Sequence, residues 1–223
     1  MSLYETIISL IWPERCPYCN CVVSKEEIAC EKCIKKFPDY TFKRFAKGGY
    51  RCFSPFAYSE GYKKAVNRFK FRNYRQFSRQ LVYPMTDALK KNIPDVDFDY
   101  ITYVPMHKKK INKRGYNQAQ LLAKDLGNNL NLPCKDVLTK IVNNKEQHKC
   151  HKKDRSKNVK GVYKSINKEN IKDKTILLVD DIITTGSTLG ECCKTLSKSG
   201  AKDIYCVTVC ATNSGNVLKK VAQ

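Results

Sequence analysis

The sequence predicts an α/β protein with a parallel sheet and a small cysteine-rich module at its N-terminus. Three observations point there. The apolar run "TILLVDD" (175–181) is followed by the helix-forming stretch "STLGECCKTLSKSG" and a second apolar run, "KDIYCVTVCA". Strand, helix and strand in that order make a right-handed parallel unit. Four cysteines recur as "CPYC" and "CEKC" near the start of the chain. Finally, 223 residues with 42% hydrophobic and 10% aromatic content suffice for one core plus a small appendage. The expected division is a cysteine module over 1–45 and an α/β domain over 46–223.

The first module follows from spacing. Cys16, Cys19, Cys30 and Cys33 read as C-x2-C, ten residues, C-x2-C. Each short turn can aim two thiolates at one point, and two turns close the tetrahedral four-sulfur set that structural Zn²⁺ favours. A thioredoxin-like redox pair is the competing reading, but that motif belongs beside a βαβ unit. Cys21 is an alternative to Cys19 as a ligand. A closed site of this kind has no open position for substrate, so the expected zinc shapes a surface and takes no part in chemistry.

Beyond a basic linker, "CFSPFAYSEG" reads as a strand with a turn. "YKKAVNRFKFRNY" then puts Tyr62, Ala65, Val66 and Phe69 at helical spacing, with Lys63, Lys64, Asn67, Arg68 and Lys70 largely off that stripe. Aromatics interleaved with bases suit either a core face or stacking on single-stranded bases. "RQFSRQLVYPMTDALKKN" is expected as a second helix, bent or interrupted near Pro84. "YITYVPM" is a short strand ending at Pro105, and "HKKKINKRGYNQ" is expected as a basic loop. It leads into a helix with Ala119, Leu122, Ala123 and Leu126 inward. The polar stretch around 140–160 has no apolar period and is expected as an exposed loop that could close as a lid. In the last helix Leu189, Cys192, Cys193 and Leu196 form the inward stripe, so those cysteines, with Cys206 and Cys210, are expected as small core residues.

Charge narrows the partners. Lys and Arg total 42 against 21 Asp and Glu, a formal +21. Residues 1–95 carry 18 basic and 9 acidic side chains, and residues 101–174 carry 19 and 6. Solvated lysines of a lysine-rich proteome are one account; a polyanionic partner is the other, since phosphate neutralisation by Lys and Arg drives nonspecific nucleic-acid binding. The densest cluster is Lys108, Lys109, Lys110, Lys113 and Arg114, and Lys32, Lys35 and Lys36 stand beside Phe37, a candidate stacking platform. No apolar run approaches the ~20 residues of a membrane span, and a cytoplasmic protein is expected.

The stretch "LLVDDIITTGST" raises the sharpest question, because Asp180 and Asp181 adjoin a loop of phosphate-binding residue types. A response-regulator receiver places its phosphoacceptor and lysine well downstream, yet only 42 residues follow Asp181. A Walker B strand needs a G-x-x-x-x-G-K-[ST] partner, and the chain has none. The remaining reading is one ligand site beyond the carboxyl end of a strand. Gly186 admits close backbone approach, and hydroxyls with the helix-start N–H groups donate to phosphate.

These residues resemble the phosphoribosyl-pyrophosphate (PRPP) motif of type I phosphoribosyltransferases. "VPMHKKKINKRGYNQ" (104–118), "QHKCHKKDRSKNVKG" (147–161) and the four-cysteine module together resemble the ComF (ComFC-type) competence proteins, a likeness covering nearly the whole chain. The resemblance implies a phosphoribosyltransferase-like domain behind a zinc finger. It implies ribose hydroxyls on Asp180 and Asp181 with Mg²⁺ nearby, and the 5′-phosphate on Thr184, Thr185, Gly186, Ser187 and Thr188. His107, Lys110, Arg114, Gln147 and Arg155 become candidates for a pyrophosphate or lid contact. It further implies a role in natural transformation, with single-stranded DNA as a partner and other competence proteins, such as a DNA translocase, beside it. Two functions remain open: a DNA-uptake factor with a phosphoribosyl (ribose 5-phosphate or PRPP) site, and a working phosphoribosyltransferase of nucleotide metabolism.

Overall fold

The computed structural model describes residues 13–71, 74–142 and 161–212. The cysteine module leads into a short helix α1 (Glu31–Ile34). Then come β1 (Phe42–Ala46), β2 (Tyr50–Ser54), β3 (Phe56–Ala57), α2 (Glu60–Phe71) and α3 (Phe77–Asn92). β4 (Tyr100–Tyr103), α4 (Lys108–Arg114), α5 (Gln118–Leu130) and the hairpin strands β5 (Leu138–Lys140) and β6 (Tyr163–Ser165) follow. The chain closes with β7 (Thr175–Ile183), α6 (Ser187–Lys198) and β8 (Asp203–Ala211).

The main sheet runs β1-β2-β8-β7-β4, with β3 also on β8. Every pairing is parallel except the β1–β2 hairpin at the edge. Successive strand residues face opposite sides of a sheet. All four residues of β4, and Ile176 to Val179 of β7, are buried, so both faces are covered. The expected helix stripes face inward: Ala65, Val66 and Phe69 of α2, Ala119, Leu122, Ala123 and Leu126 of α5, and Leu189, Cys192, Cys193 and Leu196 of α6.

Three local expectations change. Pro84 does not interrupt α3, because ten of the helix's sixteen residues are buried and their packing offsets one missing hydrogen bond. The basic stretch after Pro105 is a helix, α4, and not a loop. His107 caps it, Nδ1 accepting from the Lys109 amide at 3.2 Å, and Gly115 ends it at φ 84°. Asn117 then caps α5, accepting from the Ala119 amide, while its side-chain amide donates to the Val104 carbonyl at 3.1 Å. That buried side chain fixes the turn leading out of β4.

The third change concerns the module boundary. Position 45 falls inside β1, whose residues pair with β2 from Phe42 onward. The cysteine module and the α/β domain also share one core. Tyr18 and Phe37 sit edge-on to Phe56 at 5.7 and 4.9 Å, and Phe56 stacks on Tyr62 at 4.1 Å. Arg68 of α2 donates to the carbonyls of Pro17 and Tyr18, and buried Gln80 of α3 donates to those of Arg15 and Glu27.

Candidate functional site

The end of β7 and the start of α6 build the corner expected to hold a ligand. β7 is fully buried from Ile176 to Val179, where its pairing with β4 ends; Asp180 and Asp181 come next, half-buried and flanked on one side only by β8. The loop turns at Gly186, φ 69°, a conformation that costs most residues 1–2 kcal/mol. A Cβ there would meet the Ala46 Cα at 2.9 Å and the Phe45 carbonyl at 3.1 Å. Gly186 is thus required by the β1–β2 hairpin packed behind it, and the Lys47 amide donates to its carbonyl at 3.1 Å. Thr185 and Ser187 share a hydroxyl–hydroxyl bond of 2.9 Å at the helix start. The first amides of α6 lack intrahelical partners. The corner therefore offers donors from the loop and acceptors from the acids.

Distant elements supply the cations, two of which have no local signature in the sequence. Lys70 of α2 pairs with Asp181, Nζ to Oδ1 at 2.9 Å, with both side chains largely buried. Lys140, from the β5–β6 hairpin, places its ammonium 5.5 Å from the centroid of the buried Tyr163 ring. Burial and the nearby Lys110 charge hold Lys140 below the usual lysine range, while Asp180 opposes that shift. Asp180 itself is pushed up to about 7, first by desolvation and then by the Asp181 charge; the Asp181 amide, Lys70 and Lys140 pull the other way. Its Oδ1 accepts from that amide at 2.8 Å.

The other expected residues divide. His107 and Lys110 follow the end of β4, which pairs in parallel with β7 up to Tyr103 and Val179, so they and Asp180 come after the same end of these two strands. Arg114 is turned to other work: it donates to the Gln118 side chain at 2.9 Å and lies 5.1 Å over the Phe71 ring. Lys108, Lys109 and Lys113 are exposed on α4, as are Lys32, Lys35 and Lys36 near α1. Phe37 does not form a free platform, because its ring is half-buried against Tyr18, Phe56 and Tyr62. Gln147 and Arg155, with most of the expected lid, lie outside the described residues.

In the cysteine module, the sulfurs of Cys16, Cys19, Cys30 and Cys33 all lie within 4.8 Å of one another. A Zn–S distance of ~2.3 Å puts the sulfurs of a tetrahedral site ~3.8 Å apart, so the cluster is compatible with zinc. Cys21 lies outside this set, its sulfur 3.3 Å from that of Cys19. Among the described residues no helix is long and apolar enough to cross a membrane.

Comparison with known proteins agrees with this architecture. The phosphoribosyl transferase domain model matches residues 111–221. Competence protein F of Haemophilus influenzae is 30% identical over 198 residues, 85% of this chain and 81% of that protein. DNA utilization protein YhgH of Escherichia coli is 23% identical over 88% of this chain and 84% of its own. Competence protein ComFC of Bacillus subtilis is 29% identical over 66% of this chain and 58% of its own. With a parallel α/β sheet, the acid-and-glycine corner at β7–α6 and the four-cysteine cluster all in place, the chain belongs to the competence protein F (ComF) family.

Proposed function

We propose that this protein is a cytoplasmic DNA-uptake factor that binds single-stranded DNA on its basic surface. Its β7–α6 corner binds a phosphoribosyl group, as ribose 5-phosphate or PRPP. The observation that carries the site is the adjacency of two carboxylates and a donor-lined loop at one strand end. Acids next to a phosphate would repel it, so they must meet another part of the same ligand, and the sugar hydroxyls are neutral donors. The 5′-phosphate then takes the loop from Thr184 to Thr188. In this reading Lys70, Lys110, Lys140 and His107 offset the charge of a pyrophosphate. The names of the competence and DNA utilization relatives support the DNA role, as does the excess of basic over acidic residues.

The acids also fit Mg²⁺, which takes one or two carboxylates plus phosphate oxygens and water. Burial first, and the neighbouring Asp181 charge second, disfavour the ionised form of Asp180, and a divalent cation arriving with the ligand would favour that form. Mg²⁺ on Asp180 and Asp181 would orient the sugar and offset pyrophosphate charge. The competing reading is an active phosphoribosyltransferase of nucleotide metabolism, favoured by the lysines around Asp180.

Titration calorimetry with Mg²⁺–ribose 5-phosphate and with inorganic phosphate tests the division of labour. Asp180→Asn with Asp181→Asn is expected to weaken the sugar ligand at least tenfold and to leave phosphate binding intact or tighter, since two negative charges leave an anion site. Equal loss of both ligands refutes it. In parallel, binding of an oligothymidylate should weaken linearly on a log–log plot against salt, with a slope of about −0.7 per phosphate contacted. Absence of DNA binding at low salt makes the metabolic transferase the better reading.

A further inference from the structure

We propose that the groove on the solvent side of α2, lined by Lys64, Asn67, Arg68 and Phe71, is where single-stranded DNA docks, with a base stacked on Phe71. This rests on the DNA-binding reading above and names its surface. α2 turns Ala65, Val66 and Phe69 into the core and gives Lys70 to Asp181. Its remaining side borders a cavity of about 450 Å³, within the range of small-ligand pockets.

Phe71 stands at its edge with 61% of its surface exposed, the highest value among the large apolar side chains described. A phenyl ring so open to water adds little to the core, and it offers a flat surface of the kind that bases stack on. The cations around it are held in place. Arg114 lies 5.1 Å from the ring centroid and is tied to Gln118. Arg68 is anchored by two carbonyls of the cysteine module, at 2.8 and 3.0 Å. Among the described residues no ion pair involves Lys64, Arg68 or Arg114. Fixed positive charge without an acid partner suits phosphate, and the ring selects a strand whose base faces are free. A duplex hides those faces in its own stack.

The test measures anisotropy of a labelled oligothymidylate against wild type, Phe71→Ala, Phe71→Trp and Lys64→Gln, with a duplex of equal length as comparison. Phe71→Ala is expected to weaken single-strand binding about tenfold with no change in salt slope, and Phe71→Trp to restore it. Lys64→Gln should make the slope shallower by about 0.7. Photo-cross-linking of a 5-bromodeoxyuridine oligomer is expected to mark the peptide that contains Phe71. If wild type binds the strand but all three variants bind alike and cross-links map elsewhere, this groove is refuted while the DNA-binding reading stands. Equal wild-type affinity for duplex refutes the stacking. If wild type binds no DNA at low salt, the DNA reading itself fails and this groove with it.

Discussion

The cysteine cluster and the β7–α6 corner are two candidate ligand sites built in opposite ways. All four sulfurs of the first come from eighteen consecutive residues, 16 to 33, and two C-x2-C segments bring them together. The second takes acids and loop from one stretch, but its cations come from α2 and from the β5–β6 hairpin. A third element, the β1–β2 hairpin, backs its glycine. A local site can be complete without the rest of the fold. An assembled site reports on the fold, because each contributor must arrive by tertiary packing. Yet the local site is not energetically separate here, since Tyr18, Phe37, Arg68 and Gln80 join it to the domain core.

The largest effect expected is from breaking the cluster. Cys30→Ser should lower the melting temperature of the whole protein by roughly 10 °C or more. Structural zinc contributes on the order of 10 kcal/mol in small fingers, and each kcal/mol moves Tm by about 2–4 °C in a chain of this size. The measurement is calorimetric melting with metal analysis. A separate early transition, with the main one unmoved, would show that the two regions are independent despite the shared rings.

A smaller loss is expected where the edge hairpin meets α6. A Cβ on Gly190 would lie 2.4 Å from the Lys47 carbonyl oxygen and 2.9 Å from its amide nitrogen, both backbone atoms that cannot swing away. Gly190→Ala should cost about 1–3 kcal/mol, as overpacking does, and weaken phosphate binding by shifting the loop at Gly186. Chemical denaturation and phosphate calorimetry read the two effects. Lost stability with unchanged phosphate affinity would uncouple the hairpin from the site.

The smallest effect is a pH dependence peculiar to the acid corner. Asp180 is raised from an ordinary carboxylate value to about 7. Between roughly pH 4 and 7 the unfolded chain has released that proton and the folded chain retains it, so stability falls as pH rises through this window. An ion-paired aspartate behaves the other way, since a lowered pKa makes stability rise with pH. Asp180→Asn should flatten the slope across that window and melt higher than wild type at pH 8. Equal pH profiles for the two proteins would place the negative charge of the corner elsewhere.

Much of this molecule was legible in its residues. The helix stripes of α2, α5 and α6 fall inward as their spacing requires, because a 3.6-residue period leaves one face to bury. α4 was hidden: a run of lysines carries no apolar period, and its caps, His107 and Gly115, act only when the flanking chain is already placed. Phe37 and Phe71 show the same limit. Both follow basic residues in the sequence, but one ring is gripped by Tyr18 and Phe56 and the other stands in solvent.

The sequence by itself determined what depends on short-range geometry: four thiols at turn spacing, two acids before a glycine loop, and a strand–helix–strand unit of fixed hand. Only the tertiary structure decided which cations reach Asp180 and Asp181, why Gly186 and Gly190 admit no side chain, and which aromatic rings remain free. Those outcomes depend on contacts between residues distant in the sequence, more than a hundred positions apart for Lys70 and Asp181 and for Ala46 and Gly186. A linear pattern records what each residue can offer; the packed chain selects the partner that receives it.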